Sequence, residues 1–121
     1  MPAGKLDLII EKGAKREIVL NYKDSNGNPI SLADYEARMQ SRATIESTEV
    51  IFQVTSDPGD GIILESGAET GRVDILIGAT LTTGISEDVG VYDLELYNPL
   101  DNDDVIRLIE GDVEFRDEVT R

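Results

Sequence analysis

The sequence predicts an all-β domain, folded as an antiparallel sandwich or barrel. Apolar and polar residues alternate with a period of two along most of the chain, which is the pattern of strands that bury one face. Turns rich in glycine, proline and aspartate separate these segments at the short intervals typical of antiparallel sheets. No segment forms a convincing amphipathic helix, so the crossover helices that parallel sheets need are missing.

The alternation places the strands in order along the chain. The segment "TEVIFQVT" (48–55) is mostly apolar and β-branched, which predicts a strand buried on both faces or one that swaps between sheets. The other predicted strands lie at 6–10, 17–22, 36–42, 61–65, 72–77, 91–98 and 104–115. The residues predicted to face the core include Leu6, Leu8, Ile10, Ile18, Leu20, Tyr22, Ala37, Met39, Tyr92, Leu94 and Leu96.

The last predicted strand changes phase along its length. Ile106 and Leu108 lie on one parity, whereas Val113 and Phe115 lie on the other. We predict a bulge or bend near Gly111, because glycine tolerates the extra residue of a bulge. The stretch "ISEDVG" (85–90) is compatible with a single helical turn before its strand.

Length and composition indicate one domain, spanning 1–121, with enough apolar residues for a core. The chain has no cysteine and no histidine, which excludes disulfides, thiolate or imidazole zinc sites, cysteine nucleophiles and histidine-based triads. No apolar run approaches the ~20 residues that cross a bilayer. The start, "MPAGKLDLII", lacks the layout of a signal peptide, so we expect neither export nor membrane insertion.

The negative charge is concentrated in the second half of the chain. Residues 1–56 carry 8 acids and 7 bases, which gives −1, and residues 57–121 carry 17 acids and 4 bases, which gives −13. Such a field repels phosphate backbones, so we expect no nucleic-acid partner. The main explanation for this charge is solubility, because the carboxylates lie on strand faces that point to water. Steering toward a basic partner, or binding of cations, is the alternative.

The turn "KDSNGNP" (23–29) is the first candidate metal site. An EF-hand loop that starts at Asp24 has oxygen ligands at Asn26 and Asn28, but it places Pro29 where glycine is needed and Tyr35 where a bidentate glutamate is needed. As a hairpin connection, Asn-Gly suits positive φ and proline sets the next strand extended. The sequence therefore favours a turn without calcium.

Other motifs are weaker still. The run "DNDD" (101–104) and the pair Asp57 and Asp60 are candidates for weak cation binding, although acidic loops of this kind are usually solvated. Asp93 and Glu95 resemble a paired-carboxylate site, but they project from the outer face of a strand. The glycine-rich stretches 59–61 and 67–71 are predicted turns rather than phosphate cradles. We therefore assign no catalytic, cofactor-binding or metal-binding residue and expect no cofactor.

Four stretches follow one another in an unusual order: "LDLIIEKGA" (6–14), "IVLNYKDSNGNPISLADYEARMQSR" (18–42), "VYDLELYN" (91–98) and "IEGDVEFRDEVTR" (109–121). In this order they resemble a group of small virion-associated proteins of tailed bacteriophages and prophages. The first part also looks like the N-terminal β-sandwich domain of phage baseplate upper proteins, which anchors receptor-binding machinery. The resemblance implies a β-sandwich and a place in a virion. In "SLADY" (31–35) it implies a corner in which Leu32 and Tyr35 pack inward and Ser31 caps.

We therefore predict an Ig-like antiparallel β-sandwich of about 8 short strands that serves as a non-enzymatic structural protein of the phage tail, baseplate or fibre-attachment region. The resemblance implies assembly with other phage virion proteins, a homo-oligomer in the particle, and a virion location after synthesis in the host bacterial cytoplasm. Two alternatives stay open: a capsid decoration protein, and a cation- or carbohydrate-binding adhesion module.

Overall fold

The computed structural model describes residues 4–64 and 71–119, which form nine strands and one short helix. The strands are β1 (Gly4–Lys5), β2 (Leu8–Glu11), β3 (Arg16–Asn21), β4 (Glu36–Arg42), β5 (Phe52–Thr55), β6 (Ile62–Leu64), β7 (Arg72–Ile77), β8 (Val89–Asn98) and β9 (Asp101–Arg116), and the helix is α1 (Ala79–Thr82). The prediction of about eight strands missed the division of the first segment into β1 and β2. The predicted turn at 67–71 lies outside the described residues except for Gly71.

The strands form two sheets with different members. The larger sheet has the order β1-β9-β8-β4-β5, with β2 also paired to β9, and the smaller sheet has the order β3-β7-β6. Immunoglobulin domains divide their strands in the same way, with B, E and D in one sheet and C, F and G in the other, to which variable-type domains add C′. In this correspondence β3, β7 and β6 are B, E and D, and β4, β5, β8 and β9 are C, C′, F and G. The predicted Ig-like β-sandwich is confirmed.

The pairing at one edge of the larger sheet is an exception to the predicted antiparallel arrangement. β1 and β2 run parallel to β9, with Leu8 opposite Val113 and Glu11 opposite Arg116. Alternation reports which face a strand buries, but it does not report the direction of its neighbour. The first and last strands are distant in sequence, so no hairpin turn revealed how they would meet.

The bulge in β9 lies at Leu108 rather than near Gly111. Leu94 pairs with Ile109 and Glu95 pairs with Arg107, so Leu108 is the extra residue. From Ile109 onward the odd-numbered residues of the strand are buried, which is the predicted change of phase. Glycine is needed at position 111 for a different reason, because a Cβ there would lie 2.3 Å from the carbonyl oxygen of Leu6.

Two further predictions are wrong in detail. β5 begins only at Phe52, and Phe52 and Val54 are buried while Gln53 is exposed, so the segment 48–55 holds a half-buried edge strand. The apolar residues before it belong to the incoming loop, which period counting cannot separate from a strand. The helical turn lies at Ala79–Thr82, ahead of the predicted stretch 85–90.

The core consists of the inward faces of both sheets. Leu6 is the exception among the predicted core residues, because it lies in the break between β1 and β2 and is 38% exposed. Leu20, near the end of β3, and Tyr22, just after it, are only partly buried. The rings of Phe52 and Phe115 meet edge to face with centroids 6.3 Å apart, a favourable aromatic geometry. Antibody domains join their two sheets with a disulfide. This chain has no cysteine, so burial of apolar area holds its two sheets together.

Candidate functional site

The turn at 23–29 is organised by the Asp24 side chain together with the backbone of the turn. The Asp24 carboxylate accepts hydrogen bonds from the backbone N–H groups of Asn26, at 2.9 Å, and Asn28, at 3.0 Å. Gly27 has a φ of 84°, and Lys23 and Pro29 form an isolated antiparallel bridge. The turn is therefore real, but β3 and β4 lie in different sheets, so the connection is a crossing between sheets and not the predicted hairpin.

The corner at 31–35 has the predicted geometry. Leu32 is buried and Tyr35 packs against the core. The Ser31 hydroxyl oxygen accepts the backbone N–H of Ala33 at 3.3 Å. The Tyr35 hydroxyl donates to a carboxylate oxygen of Asp104 at 2.8 Å, which ties this corner to the β8–β9 hairpin. Sequence reasoning gave the inward packing but not this link, because its two partners are 69 residues apart.

One end of the sandwich collects acidic residues from three connections. We call the residues at 31–36, 55–60 and 97–104 the acidic end; they carry seven carboxylates and no base, which is half of the net charge of −14. The Tyr97 hydroxyl donates to Glu36 at 2.9 Å. The carboxylates that accept from Tyr35 and Tyr97 raise the pKa of both phenols above the usual value. The acidic end is therefore a field of carboxylates held partly in place by tyrosines.

The candidate cation sites within this end do not form a ligand cluster. The Asp101 carboxylate accepts the backbone N–H of Asp103 at 3.0 Å, and Asp60 accepts the hydroxyl of Thr55 at 2.5 Å. Among residues 4–64 and 71–119, no group of three or more acidic side chains is placed to hold a metal ion.

The paired carboxylates Asp93 and Glu95 lie in a shallow polar groove of about 360 Å³ on the outer face of the larger sheet. Arg107 approaches Asp93 at 3.4 Å, and Arg38 approaches Glu95 at 3.0 Å while lying 4.4 Å above the ring of Tyr97. Burial raises the pKa of Asp93, the charge of Glu95 adds to that rise, and Arg107 opposes it. Each carboxylate thus faces an arginine, which is the arrangement of a surface ion-pair lattice.

The outer face of the smaller sheet is partly apolar. Val19, Ile63 and Leu76 are 52%, 61% and 43% exposed, and we call these three residues the outer apolar patch. Val19 and Ile63 both pair with Asp74, from opposite sides, and Leu76 follows two residues further along β7. Ile63 and Leu76 also line an open groove of about 540 Å³ beside Pro58. The patch was not predicted, although apolar triplets at 18–20, 62–64 and 75–77 were a usable signal.

The smaller sheet also has an open edge along β3. This strand pairs with β7 on one side, and no other described strand pairs with its second side. Immunoglobulin domains of the constant type place strand A beside strand B at this position. Here the first strands pair with β9 instead, which leaves the β3 edge exposed to possible partners.

Comparison with known proteins adds little to these observations. No protein-family model matches the chain, and no curated protein matches it. Among solved structures, the chain is similar to the extracellular domain of the voltage-gated sodium channel beta4 subunit, at 11% identity and a TM-score of 0.46, over 98% of this chain and 97% of that one. Parallel homodimers of that domain are described as explaining its role in cell–cell adhesion. In the described part of this chain, no helix has the length and hydropathy to cross a membrane.

Proposed function

We propose that the chain is a non-enzymatic structural component of a tailed-bacteriophage virion, located in the tail, baseplate or fibre-attachment region. It acts by assembling with other virion proteins and with further copies of itself. The ordered motifs at 6–14, 18–42, 91–98 and 109–121 are the basis for the phage setting. The stretch 18–42 supplies most of β3, the crossing between the sheets and β4, so the resemblance includes the part of the chain that joins the two layers.

The outer apolar patch is the observation that carries the assembly role. Exposed apolar side chains grouped on a sheet face are typical of surfaces that contact another protein. Val19 and Ile63 flank Asp74 in one cross-strand row, so the patch has members on all three strands of the smaller sheet, arranged around one carboxylate. The core does not require an apolar residue at these positions, because the three side chains lie on the outer face and are between 43% and 61% exposed.

The acidic end supports a partner of the opposite charge. Its seven carboxylates lie on three neighbouring connections, one of which is tied to another by the bond between Tyr35 and Asp104. Charge complementarity of this kind increases the rate of association and selects the orientation of docking. A basic surface on a neighbouring virion protein fits this end of the sandwich.

Location in the particle tests the proposal. An epitope-tagged chain is expressed during phage production, and purified particles are labelled with antibody and imaged by electron microscopy. We expect label on the tail, the baseplate or the fibre attachment. Label on heads would select a capsid decoration protein instead, and mass spectrometry that finds no chain in purified particles would overturn the virion role altogether.

A pair of variants tests the contribution of the outer apolar patch. Ile63→Lys places a charge in the patch, and we expect fewer copies per particle because the charge must be desolvated on assembly. Val89→Lys is the matched control, since Val89 is also exposed, at 66%, but lies on the other sheet. Equal incorporation of the two variants would remove the patch from the proposal.

A further inference from the structure

We propose that the open edge of β3 pairs with the same edge of a second copy of this chain, which extends the smaller sheet across a two-fold axis. The inference deepens the proposed assembly function and rests on it for its biological setting. Its physical basis is independent, because it follows from the hydrogen-bond pattern and side chains of Arg16–Asn21.

The ladder with β7 determines which backbone groups of β3 face outward. In an antiparallel pair, alternate residues exchange hydrogen bonds with the partner and the residues between them point to the other side. The backbone N–H of Tyr22 donates to Gly71 at 2.7 Å, which marks the even-numbered residues as those bonded to β7. Glu17, Val19 and Asn21 therefore direct their N–H and C=O groups to the open edge. The Arg16 guanidinium, which reaches the Glu17 carbonyl at 3.2 Å, is consistent with this assignment.

The other described sheet edges offer less. β6 has three residues, Ile62–Leu64, and β2 has four, Leu8–Glu11. At β5 the chain folds back, so that the outward N–H of Thr55 donates to the carbonyl of Asp60 at 3.3 Å. β3 has six residues and contains no proline, and an open edge of this length is a template for pairing with another chain.

A second copy fits this edge in one favoured register. Antiparallel pairing centred on Val19 sets Val19 opposite Val19 of the partner subunit and sets Glu17 opposite Asn21 of the partner subunit. All three outward-facing residues of each copy then exchange hydrogen bonds. If the two strands slide by two residues in either direction, one outward-facing residue of each strand lies opposite a residue outside the partner's strand. That register therefore has fewer hydrogen bonds between the two copies.

The side chains agree with this register. On the outer face the two valines meet, so the outer apolar patch of one copy continues into that of the other. On the inner face Ile18 lies opposite Leu20 of the partner subunit, and Leu20 is only partly buried in the single chain. No like charges oppose each other within the strand. The edge is also suitable electrostatically, because β3 carries one base, Arg16, and one acid, Glu17, whereas the acidic end carries −7.

Val19→Pro tests the pairing with little effect on the sandwich. Proline has no N–H to donate, and sheets tolerate it at edge positions whose N–H points away from the neighbouring strand, as that of Val19 does. We expect the wild-type chain to sediment with twice the 13.2 kDa mass of one chain and the variant to sediment as a monomer. Circular dichroism checks that the variant stays folded.

Two further substitutions keep the test decisive if the proline variant does not fold. Val19→Lys sets two ammonium groups opposite each other across the axis, so we expect it to be monomeric, and Val19→Thr retains the N–H and the β-branch, so we expect it to stay dimeric. Val89→Lys, on the other sheet, controls for the added charge. A wild-type chain that sediments at 13.2 kDa up to millimolar concentration, or a dimer that survives both Val19→Pro and Val19→Lys, would overturn the proposal.

Hydrogen exchange provides an independent measurement on the wild-type chain. The amide of Val19 should become protected as the concentration rises, whereas the amide of Ile18, bonded to β7, should be protected throughout. Protection of Val19 in intact particles but not in the concentrated chain would identify a strand from a different protein and would overturn pairing between copies. A monomeric chain that is present in particles would end this inference and leave the proposed function standing.

Discussion

At the residue scale, two positions fasten the beginning of the chain to its end. Gly111 pairs with Tyr92 across β8 and β9, and its missing side chain lets the carbonyl group of Leu6 approach. The Tyr92 hydroxyl donates to that same carbonyl oxygen. The backbone N–H of Leu6 donates to Glu110 at 3.0 Å. Gly111 and Tyr92 thus form the site, called here the socket, that holds the backbone of Leu6 between β1 and β2.

Gly111→Ala is expected to destabilise the fold by about 1–3 kcal/mol, the usual cost of inserting a group into a packed site. The added Cβ would lie 2.3 Å from the Leu6 oxygen, and a backbone atom has little freedom to move. Gly84→Ala is the matched control, because no atom lies within 4 Å of the corresponding Cβ. Urea denaturation measures both changes, and equal free energies of unfolding for the two variants would contradict the socket.

Alkaline pH is expected to destabilise the protein. Burial raises the pKa of Tyr92 to about 12, so the folded state retains a proton that the unfolded chain loses near pH 10. This contribution to stability is complete below about pH 10 and disappears as the pH rises toward about 12. The raised pKa of Lys12, caused first by its hydrogen bond to Asp117, acts in the same direction.

Melting temperatures between pH 8 and pH 12, about the range in which these groups titrate, measure the effect. Tyr92→Phe should flatten the decline, because it removes the group with the largest shift. At neutral pH the same variant should lose about 1–3 kcal/mol, since the carbonyl of Leu6 is left without its donor. A decline of equal slope in the variant would mean that other groups control the alkaline limit.

At the element scale, α1 links the connection after β2 to the connection after β7, which are far apart in the sequence. The backbone N–H of Gly13, in the turn after β2, donates to the Thr82 hydroxyl oxygen at 2.9 Å. That hydroxyl in turn donates to the carbonyl of Ala79 at 3.1 Å. Thr82 is completely buried, so its hydroxyl substitutes for water at both groups. The helical turn therefore lies at 79–82, where this bond is available, and not at 85–90.

Thr82→Val should destabilise the fold by about 1–3 kcal/mol, because it retains the shape of the side chain but leaves the partly buried N–H of Gly13 without an acceptor. Thr83→Val is the neighbouring control: Thr83 is exposed and its hydroxyl donates to the same Ala79 carbonyl at 2.9 Å. Thermal unfolding of both variants measures the difference. A loss in the control as large as that in Thr82→Val would indicate a general helix effect instead.

At the scale of the whole molecule, net charge determines which partners are favoured. The ion pairs on the outer face of the larger sheet are partly exposed to solvent, and surface pairs contribute only about 0–1 kcal/mol each. The acidic end is different, because its seven carboxylates act together and lack a basic residue among them. Its field extends over roughly a Debye length, about 10 Å at 0.1 M salt.

We expect association with a basic virion partner to weaken as salt rises. Particles assembled without the chain are mixed with the purified chain, and co-sedimentation is measured at about 50 mM and about 500 mM NaCl, which shortens the screening length several-fold. Replacing Asp101 and Asp103 with asparagine should reduce binding at low salt and make it less dependent on salt. Binding that is unchanged between the two salt concentrations would count against electrostatic docking.

Local alternation predicted most strands, since a strand that buries one face must repeat its apolar residues every second position. Ile18, Ala37, Met39, Tyr92, Leu94 and Leu96 are all buried as predicted. The outer apolar patch was missed because Val19, Ile63 and Leu76 are the middle residues of the apolar triplets 18–20, 62–64 and 75–77. The residues on either side of each face the core, so the triplets were interpreted only as core strands. The phase change in β9 was predicted correctly, but its position was not. The bulge was assigned to Gly111 because glycine tolerates an extra residue, whereas it lies at Leu108.

The sequence by itself determined the all-β class, the inward faces and the absence of thiol and imidazole chemistry, because these depend on residue type and on neighbours along the chain. Tertiary structure decided the parallel pairing of β1 and β2 with β9, the collection of carboxylates at one end, and the open edge of β3. Each of these depends on which distant segments meet in space. Alternation fixes the face that a strand buries but carries no information about the strand beside it.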